Sequence, residues 1–325
     1  MQLDQEFVRL PFQFDTERLQ LELGQFQNSE WMEHPSKLVG NLAIPLISLH
    51  GADNNEFAGR MRITPHLKRC EYMQQAMASF GEVLARSRLM RLNAGAEVVE
   101  HVDFNYHWYS RVRIHIPIIT NPDVVFYCGQ ESIHMQAGEC WIFDSWRRHN
   151  VINRSTEDRV HLVVDAAGSS RFWNMVQTMQ GFGFDSSDPN LASQIVDQPY
   201  IPGRENNIRT ERFNVTPVMA PGEMEAMARE LIADFSRHAG NDPAIVSQYS
   251  RLLLDLAKDW RELWHLYGHT RDGWQYYKNL LDQTMKKLRP EPKILLTASN
   301  QIGVNPIIVQ RILRAALNVE VVDDF

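Results

Sequence analysis

Between Leu89 and Asp165 turn residues cut the sequence into short apolar or alternating runs, and this rhythm limits the fold more than any other feature. RLMRLN, AEVVEHV, RVRIHIPII, VVFYC, SIHMQ, CWIFD, HNVIN and RVHLVVD are separated by AG, TNPD, CGQE, AGE and RSTED. Runs this short, bounded by Gly, Asn, Pro and Asp, read as strands joined by tight turns. About eight of them in series predict a closed two-sheet structure, a jelly roll or cupin-like barrel, because closure leaves few strand edges unpaired.

The flanks read differently. RLPFQFDTERLQLELGQF predicts a strand and then a helix capped by Asp15 or Thr16, and LVGNLAIPLISL predicts a further strand. Thr64-Pro65 opens a helix expected to run through LKRCEYMQQAMASFGEVLAR. SSRFWNMVQTMQ is expected to be helical, and a polar stretch rich in Ser, Asp, Pro and Asn follows it. Beyond that stretch, GEMEAMARELIADFSRH, DPAIVSQYSRLLLDLAKDWRELWHLYG, DGWQYYKNLLDQTMKKL and NPIIVQRILRAALN all repeat at helical spacing. The expected fold is mainly β with helices. A barrel domain with its N-terminal strand and helix covers 1–175, a linker or arm 176–220, and a helical C-terminal domain 221–325. Trp and Tyr density in DWRELWHLYGHTRDGWQYY makes the last part a candidate homodimer surface or a wall over the barrel mouth.

Composition narrows the partners. A formal charge of −7 gives no reason to expect nucleic acid or an acidic membrane surface. No apolar run approaches the ~20 residues a bilayer span needs, and the N-terminus lacks a signal-peptide pattern. The three cysteines, Cys70, Cys128 and Cys140, have no metal-like spacing and suit a reducing compartment. The expectation is a cytoplasmic protein without membrane attachment.

The chemistry lies in the strands. In HVDFNYHWYSRVRIHIPIIT, His101 and Asp103 are two apart, so on a strand they face the same way. A His from another strand, His149, would complete a face of two histidines and one carboxylate, the ligand set of non-haem Fe(II) oxygenases. The pair alone is weak: 12 histidines and 40 acidic residues in 325 give about 1.5 such spacings by chance. Its surroundings add specificity. RVRIHIPI puts Arg111, Arg113 and His115 on one face and Val112, Ile114, Ile116 and Ile118 on the other, and Arg159 opens RVHLVVD ten residues after His149. Three arginines and a histidine facing one cavity with a cation call for an anionic ligand as well as a metal. His161 shares the face of Arg159. His107 and His134 read as loop or surface residues. Trp108, Tyr109 and Trp146 are candidates either for the substrate pocket wall or for core packing.

Taken in order, HVD, RVRIH, GECWIFDSWRRHNVIN and RVHLVVD resemble the aspartyl/asparaginyl β-hydroxylase family of Fe(II)/2-oxoglutarate dioxygenases, and also the bacterial proline cis-hydroxylases. The resemblance covers roughly Leu89 to Asp165. It implies a double-stranded β-helix, Fe(2+) bound by His101, Asp103 and His149, and 2-oxoglutarate held at its far carboxylate by Arg159, with Arg113 and His115 lining the cosubstrate. It implies substrate contacts from Arg111, with Trp146 beside them. Asp103 is present where vertebrate members lack the carboxylate. Met90 stands where the family has a serine that helps hold 2-oxoglutarate, so Arg91, Asn93 or an aromatic is expected to replace that contact. The implied reaction is O2-dependent hydroxylation of an unactivated C–H bond in a soluble amino acid, a peptidyl residue or an amino-acid-derived natural-product intermediate. Desaturation or cyclisation by the same chemistry is the variant. A non-catalytic cupin-like binder, which would not need Arg159, and a Zn hydrolase, which would need a general base, are the rivals.

Overall fold

A computed structural model describes residues 2–33, 39–185 and 187–320. The chain divides into two compact units. One comprises 1–103 and 110–212; the other comprises 104–109 and 213–325.

The first unit begins with β1 (Phe7–Phe14) and α1 (Thr16–Leu23), whose N-cap is Asp15, its side chain accepting from Arg18 N at 3.0 Å. β2 (Met32–Glu33), β3 (Asn41–Leu49) and β4 (Met61–Ile63) follow, then α2 (Pro65–Lys68) and α3 (Glu71–Ser79). The expected strand LVGNLAIPLISL starts at Leu38, which lies outside the described residues, and Asn41–Leu49 of it form β3. The helix expected to continue through GEVLAR stops at Ser79. Gly81 turns the chain with φ +63°, and β5 (Val83–Leu92) begins two residues later. Arg86 and Arg88 are therefore strand residues.

The eight-strand rhythm resolves into β5, β6 (Glu97–His101), β7 (Val112–Ile119), β8 (Val124–Cys128), β9 (Glu131–Ile133), β10 (Glu139–Phe143), β11 (His149–Asn153) and β12 (Arg159–Ala166). They fall into two sheets. The larger sheet contains β10-β7-β12-β5 in that order, extended by β1 beside β10 and by β3 beside β5. The smaller has the order β6-β11-β8-β9. This is the double-stranded β-helix expected from the strand count. The stretch after α5 (Ser170–Gln180), expected to be a connection, contributes α6 (Pro189–Ala192), β13 (Val196–Gln198), which pairs with β1, and β14 (Arg209–Thr210), which pairs with β5.

Period-two alternation sorts the side chains of the larger sheet. Val112, Ile114, Ile116 and Ile118 of β7 and Val160, Leu162 and Val164 of β12 join a core with Leu19, Met73, Met77, Phe172 and Val176 from α1, α3 and α5. The opposite face meets the smaller sheet, where Phe126, Trp141, Phe143 and Val151 form a second, inner core. Aliphatic residues thus hold the sheet to its helices, and the polar alternates are turned into the barrel.

The second unit is helical: α4 (Tyr106–Tyr109), α7 (Pro221–Ser236), α8 (Pro243–Tyr267), α9 (Trp274–Lys287), then α10 (Val304–Ile307), a π-helical stretch Ile308–Leu313 and α11 (Arg314–Ala316). Asp242 caps α8, accepting from Ala244 N at 2.7 Å. Trp260 and Tyr277 are fully buried with ring centroids 4.5 Å apart, so part of the aromatic density of this region is core packing.

Candidate metal centre and its cavity

β6 and β11 are paired with His101 directly opposite His149, and a register shift after His149 marks a local irregularity at that point. Their ring centroids lie 4.2 Å apart. Asp103, two residues beyond His101, is fixed by its backbone N–H donating to Ser145 O at 3.0 Å. Its carboxylate oxygens lie 4.0 Å from His101 Nε2 and 3.9 Å from His149 Nε2. One ligand atom from each residue falls within 4.8 Å of the others.

Hydrogen bonding sets the tautomers. His101 Nδ1 is 2.8 Å from Val99 O and His149 Nδ1 is 2.9 Å from Arg147 O. A carbonyl oxygen only accepts, so each Nδ1 carries the proton and each Nε2 presents a lone pair toward Asp103. The Arg147 carbonyl is held in turn: Asp144 accepts from Trp146 N at 2.9 Å and from Arg147 Nε at 3.1 Å. His149 Nε2 and Asp103 Oδ2 are buried without a hydrogen-bond partner among the described residues. Burial pushes His149 down to about 4, which keeps its imidazole neutral. Burial opposes the Asp103 carboxylate, but the fields of Arg113, His149 and His101 together outweigh it and hold its pKa below the ordinary value. Two bare imidazole nitrogens and an ionised carboxylate converging on one point form a donor set that fits a divalent transition metal.

A cavity of about 80 Å³ opens beside the triad, lined by His101, His149, Arg113, His115 and Arg159 together with Asn41 and Met90. At its base Arg159 is 5% exposed, donates to His161 Nδ1 at 3.0 Å and lies over the Phe126 ring at 5.0 Å. No carboxylate pairs with it among the described residues: Asp158 accepts from Ala94 N, and Asp144 is committed to Arg147. Arg159 Nε and His161 Nε2 are buried without partners. Because Arg159 can only donate, His161 Nδ1 accepts and His161 Nε2 carries the proton. His115 Nδ1, 3.3 Å from His161 Nδ1, then donates as well. Burial and the Arg159 charge push both imidazoles well below their usual range, so they stay neutral. Burial also lowers Arg159 to about 9, with Arg113 adding to it. A guanidinium in this position gains from an incoming carboxylate.

Not every expected residue reaches the cavity. Arg111 is held by Glu211, Nε to Oε1 at 2.7 Å and Nη2 to Oε2 at 3.0 Å, with both residues buried. Trp146 is buried in the turn before β11 and does not line the cavity. His107, expected at a loop or the surface, is buried in α4 of the second unit, and so is Trp108, a candidate for the pocket wall or for core packing. His134 directly follows β9, with Nδ1 3.0 Å from Val124 O. Met90 is on the wall, but Arg91 points outward over Trp31. The polar neighbour beside Arg159 is Asn41: both residues pair with Leu92, from either side of β5. Sequence reasoning passed over Asn41 because it sits at the first position of an otherwise aliphatic strand.

Residues 50–168 match the family Aspartyl/Asparaginyl beta-hydroxylase, a span that includes every barrel strand from β5 to β12. Among solved structures, the chain is similar to a Pseudomonas putida prolyl-4-hydroxylase (12% identity, 50% of this chain and 92% of that one, TM-score 0.35). It is similar to HygX from Streptomyces hygroscopicus, solved with nickel, 2-oxoglutarate and hygromycin B (13%, 49% and 82%, TM-score 0.35). It is also similar to a 2OG-Fe(II) oxygenase family oxidoreductase from Burkholderia pseudomallei (14%, 47% and 78%, TM-score 0.33). The comparison with curated proteins gave no match. No described helix is long and apolar enough to cross a membrane.

Proposed function

We propose that this chain, whose residues 50–168 match the aspartyl/asparaginyl β-hydroxylase family, is an Fe(II)- and 2-oxoglutarate-dependent dioxygenase hydroxylating an amino acid, a peptidyl residue or a natural product derived from one. The observation that carries this reading is the pairing of two sites in one barrel. A His-Asp-His face has bare donor atoms, and an uncompensated buried arginine lies at the far end of the same cavity. Iron and 2-oxoglutarate together would supply the oxidising power for attack on an unactivated C–H bond. The chain supplies position and electrostatics. His101, Asp103 and His149 would hold the metal on one face and leave the other open. Arg159 would pair with the distal carboxylate of 2-oxoglutarate, with His161 fixing the guanidinium from behind. Arg113 and His115 would line its length, and Asn41 would give the second polar contact that Met90 cannot. Phe126 and Phe143 exclude water around these groups, which strengthens each charged contact. The same site could direct desaturation or cyclisation, according to how the substrate lies.

The finer expectations belong to the same reading. A cytoplasmic location fits the cysteine usage. Assembly into a homodimer through the C-terminal helices is supported by the exposed Leu266, Tyr276 and Met285; mass in solution tests it.

The decisive experiment titrates iron(II), then 2-oxoglutarate under anaerobic conditions, into the parent protein and two variants. His149→Ala should lose iron binding while the barrel stays folded. Arg159→Ala should keep iron and lose about 2–4 kcal/mol of 2-oxoglutarate binding, the cost of removing one partner of a charge-assisted pair in a dry site. Stoichiometric iron in the first variant, or unchanged cosubstrate affinity in the second, would overturn the assignment.

A further inference from the structure

Arg159 and His115 meet His161 at one ring nitrogen, and that arrangement leaves a lone pair on His115 without a use. Arg159 Nη2 is 3.0 Å from His161 Nδ1, and His115 Nδ1 is 3.3 Å from the same atom. A guanidinium only donates, so His161 Nδ1 is unprotonated. Two bare nitrogens would repel at that distance, so His115 Nδ1 carries a proton. A neutral imidazole has one N–H and one lone pair, which puts the lone pair of His115 on Nε2. That atom is buried without a partner among the described residues, and His115 stands on the cavity wall. A buried acceptor with nothing to accept from is costly.

The lone pair is also badly matched to the ligand that Arg159 calls for. Carboxylate oxygens only accept, and a bare imidazole nitrogen facing one sets lone pair against lone pair. A single proton removes the conflict, since an imidazolium donates from both nitrogens, to His161 and to the carboxylate. The surroundings explain why that proton is missing beforehand. β12 presents Arg159, His161 and Asp165 to this ring, β7 itself presents Arg113, and β11 presents His149. From β8 comes Phe126, at 5.5 Å between ring centroids, and from β10 Phe143, 5.4 Å from His115 and 4.8 Å from His149. Burial first, then the charges of Arg159 and Arg113, hold His115 well below its usual range. Asp165 pulls the other way, but it is 3.5 Å from Arg113 and is shared with Arg86. A carboxylate on Arg159 would cancel the larger of the two opposing charges and offer the imidazolium an acceptor.

We propose that the cavity takes 2-oxoglutarate together with one proton, which His115 Nε2 receives from solvent as the carboxylate arrives. This rests on the dioxygenase reading and deepens it. One N–H bond forms and none other is made or broken. His115 is thus a group that repels the anion when bare and fixes it when protonated. The sign of the pH dependence follows, because the pKa of His115 is higher in the complex than in the free protein. Between the two values affinity falls about tenfold for each unit rise in pH, and above the higher value it levels off.

The test titrates 2-oxoglutarate into the full-length, zinc-loaded protein in a calorimeter, in buffers of different ionisation enthalpy, from about pH 6 to about pH 8. That window lies above ordinary carboxyl titration and below the value of about 9 to which Arg159 is lowered. The slope of heat against buffer ionisation enthalpy counts protons. An uptake approaching about one proton per 2-oxoglutarate is expected at the acid end, shrinking toward the alkaline end. In His115→Asn, whose amide stands where Nδ1 does and can still donate to His161, the uptake should vanish and the affinity should lose its pH dependence. Zinc binding should be unaltered. His115→Gln, which can donate to the carboxylate without a proton, should also show no uptake, and it keeps the test open if the asparagine variant does not fold. A parent that binds 2-oxoglutarate and takes up no proton would overturn the proposal, with a water then satisfying Nε2. Undiminished uptake in the variants would overturn it too, by assigning the proton to hydroxide released from the metal. A parent that fails to bind zinc or 2-oxoglutarate would instead refute the dioxygenase reading.

Discussion

A single arginine shows how an expected role depends on what lies opposite it. The alternation of RVRIHIPI puts Arg111 on the same side as Arg113 and His115, and that logic holds for the two residues inside β7. Arg111 precedes the strand, and Glu211, a hundred residues on, meets it in a bidentate pair with both groups buried. No local pattern announces such a partner. Removing one member of a buried pair strands the other, so Arg111→Ala should cost about 3–5 kcal/mol of folding stability in urea denaturation. Glu211→Ala should cost a similar amount, and the double variant should cost less than the two together. A substrate-binding arginine would instead raise KM and leave stability alone; that outcome would return Arg111 to the role its sequence position implied.

At the level of strands and helices, the barrel was legible because its rhythm is set by turn residues and its faces by period two. Both follow from the local sequence. The triad was legible for the same reason: His101 and Asp103 lie on one face, and His149 opens the strand paired with that segment. What stayed hidden was the start of β5. EYMQQAMASFGEVLAR has apolar residues at helical spacing throughout, and only Gly81 interrupts it. Reading through that glycine put Arg86 on a helix, although Arg88, two residues on, already opens RLMRLN, which reads as a strand. The structure assigns Gly81 the turn: its φ is +63°, and an added Cβ would press on the Arg171 guanidinium, which donates to Phe80 O and Glu82 Oε1. Gly81→Ala should therefore destabilise the protein by about 1–2 kcal/mol, the usual cost of a left-handed conformation for an L-residue. The measurement is the denaturation midpoint, with iron binding as a control for the barrel. An unchanged midpoint would mean that the turn relaxes without strain. The turn also sets the register of β5, and a slip of one residue would exchange Arg86 and Arg88 for Ala85 and Ser87 on the inner face.

On the scale of the whole chain, the division into two units does not follow the sequence order, and it cuts close to the candidate metal site. The barrel unit ends at Arg212, but the six residues directly after Asp103 belong to the helical unit. Within that unit Arg311 donates to Phe104 O at 3.0 Å and lies over the Tyr109 ring at 5.3 Å, and Tyr106 donates to Glu223 at 2.6 Å. The segment that follows Asp103 is thus anchored by residues more than a hundred positions away. Asp103 has its own tie to the barrel through Ser145 O, and the two anchors compete as explanations for its fixed position. Ending the chain after Arg212 separates them. Without the helical unit, Phe104–Tyr109 loses its packing, and ordering each freed residue on metal binding costs about 1–2 kcal/mol of backbone entropy. Iron affinity should then fall by at least about tenfold for each 1.4 kcal/mol so lost, although all three ligands remain. Circular dichroism of the truncated protein checks that the β-structure persists, and an anaerobic iron(II) titration reads the affinity. In the full chain, Arg311→Met should give a smaller loss in the same direction. Affinity equal to that of the intact protein in both would assign the positioning of Asp103 to the Ser145 contact alone.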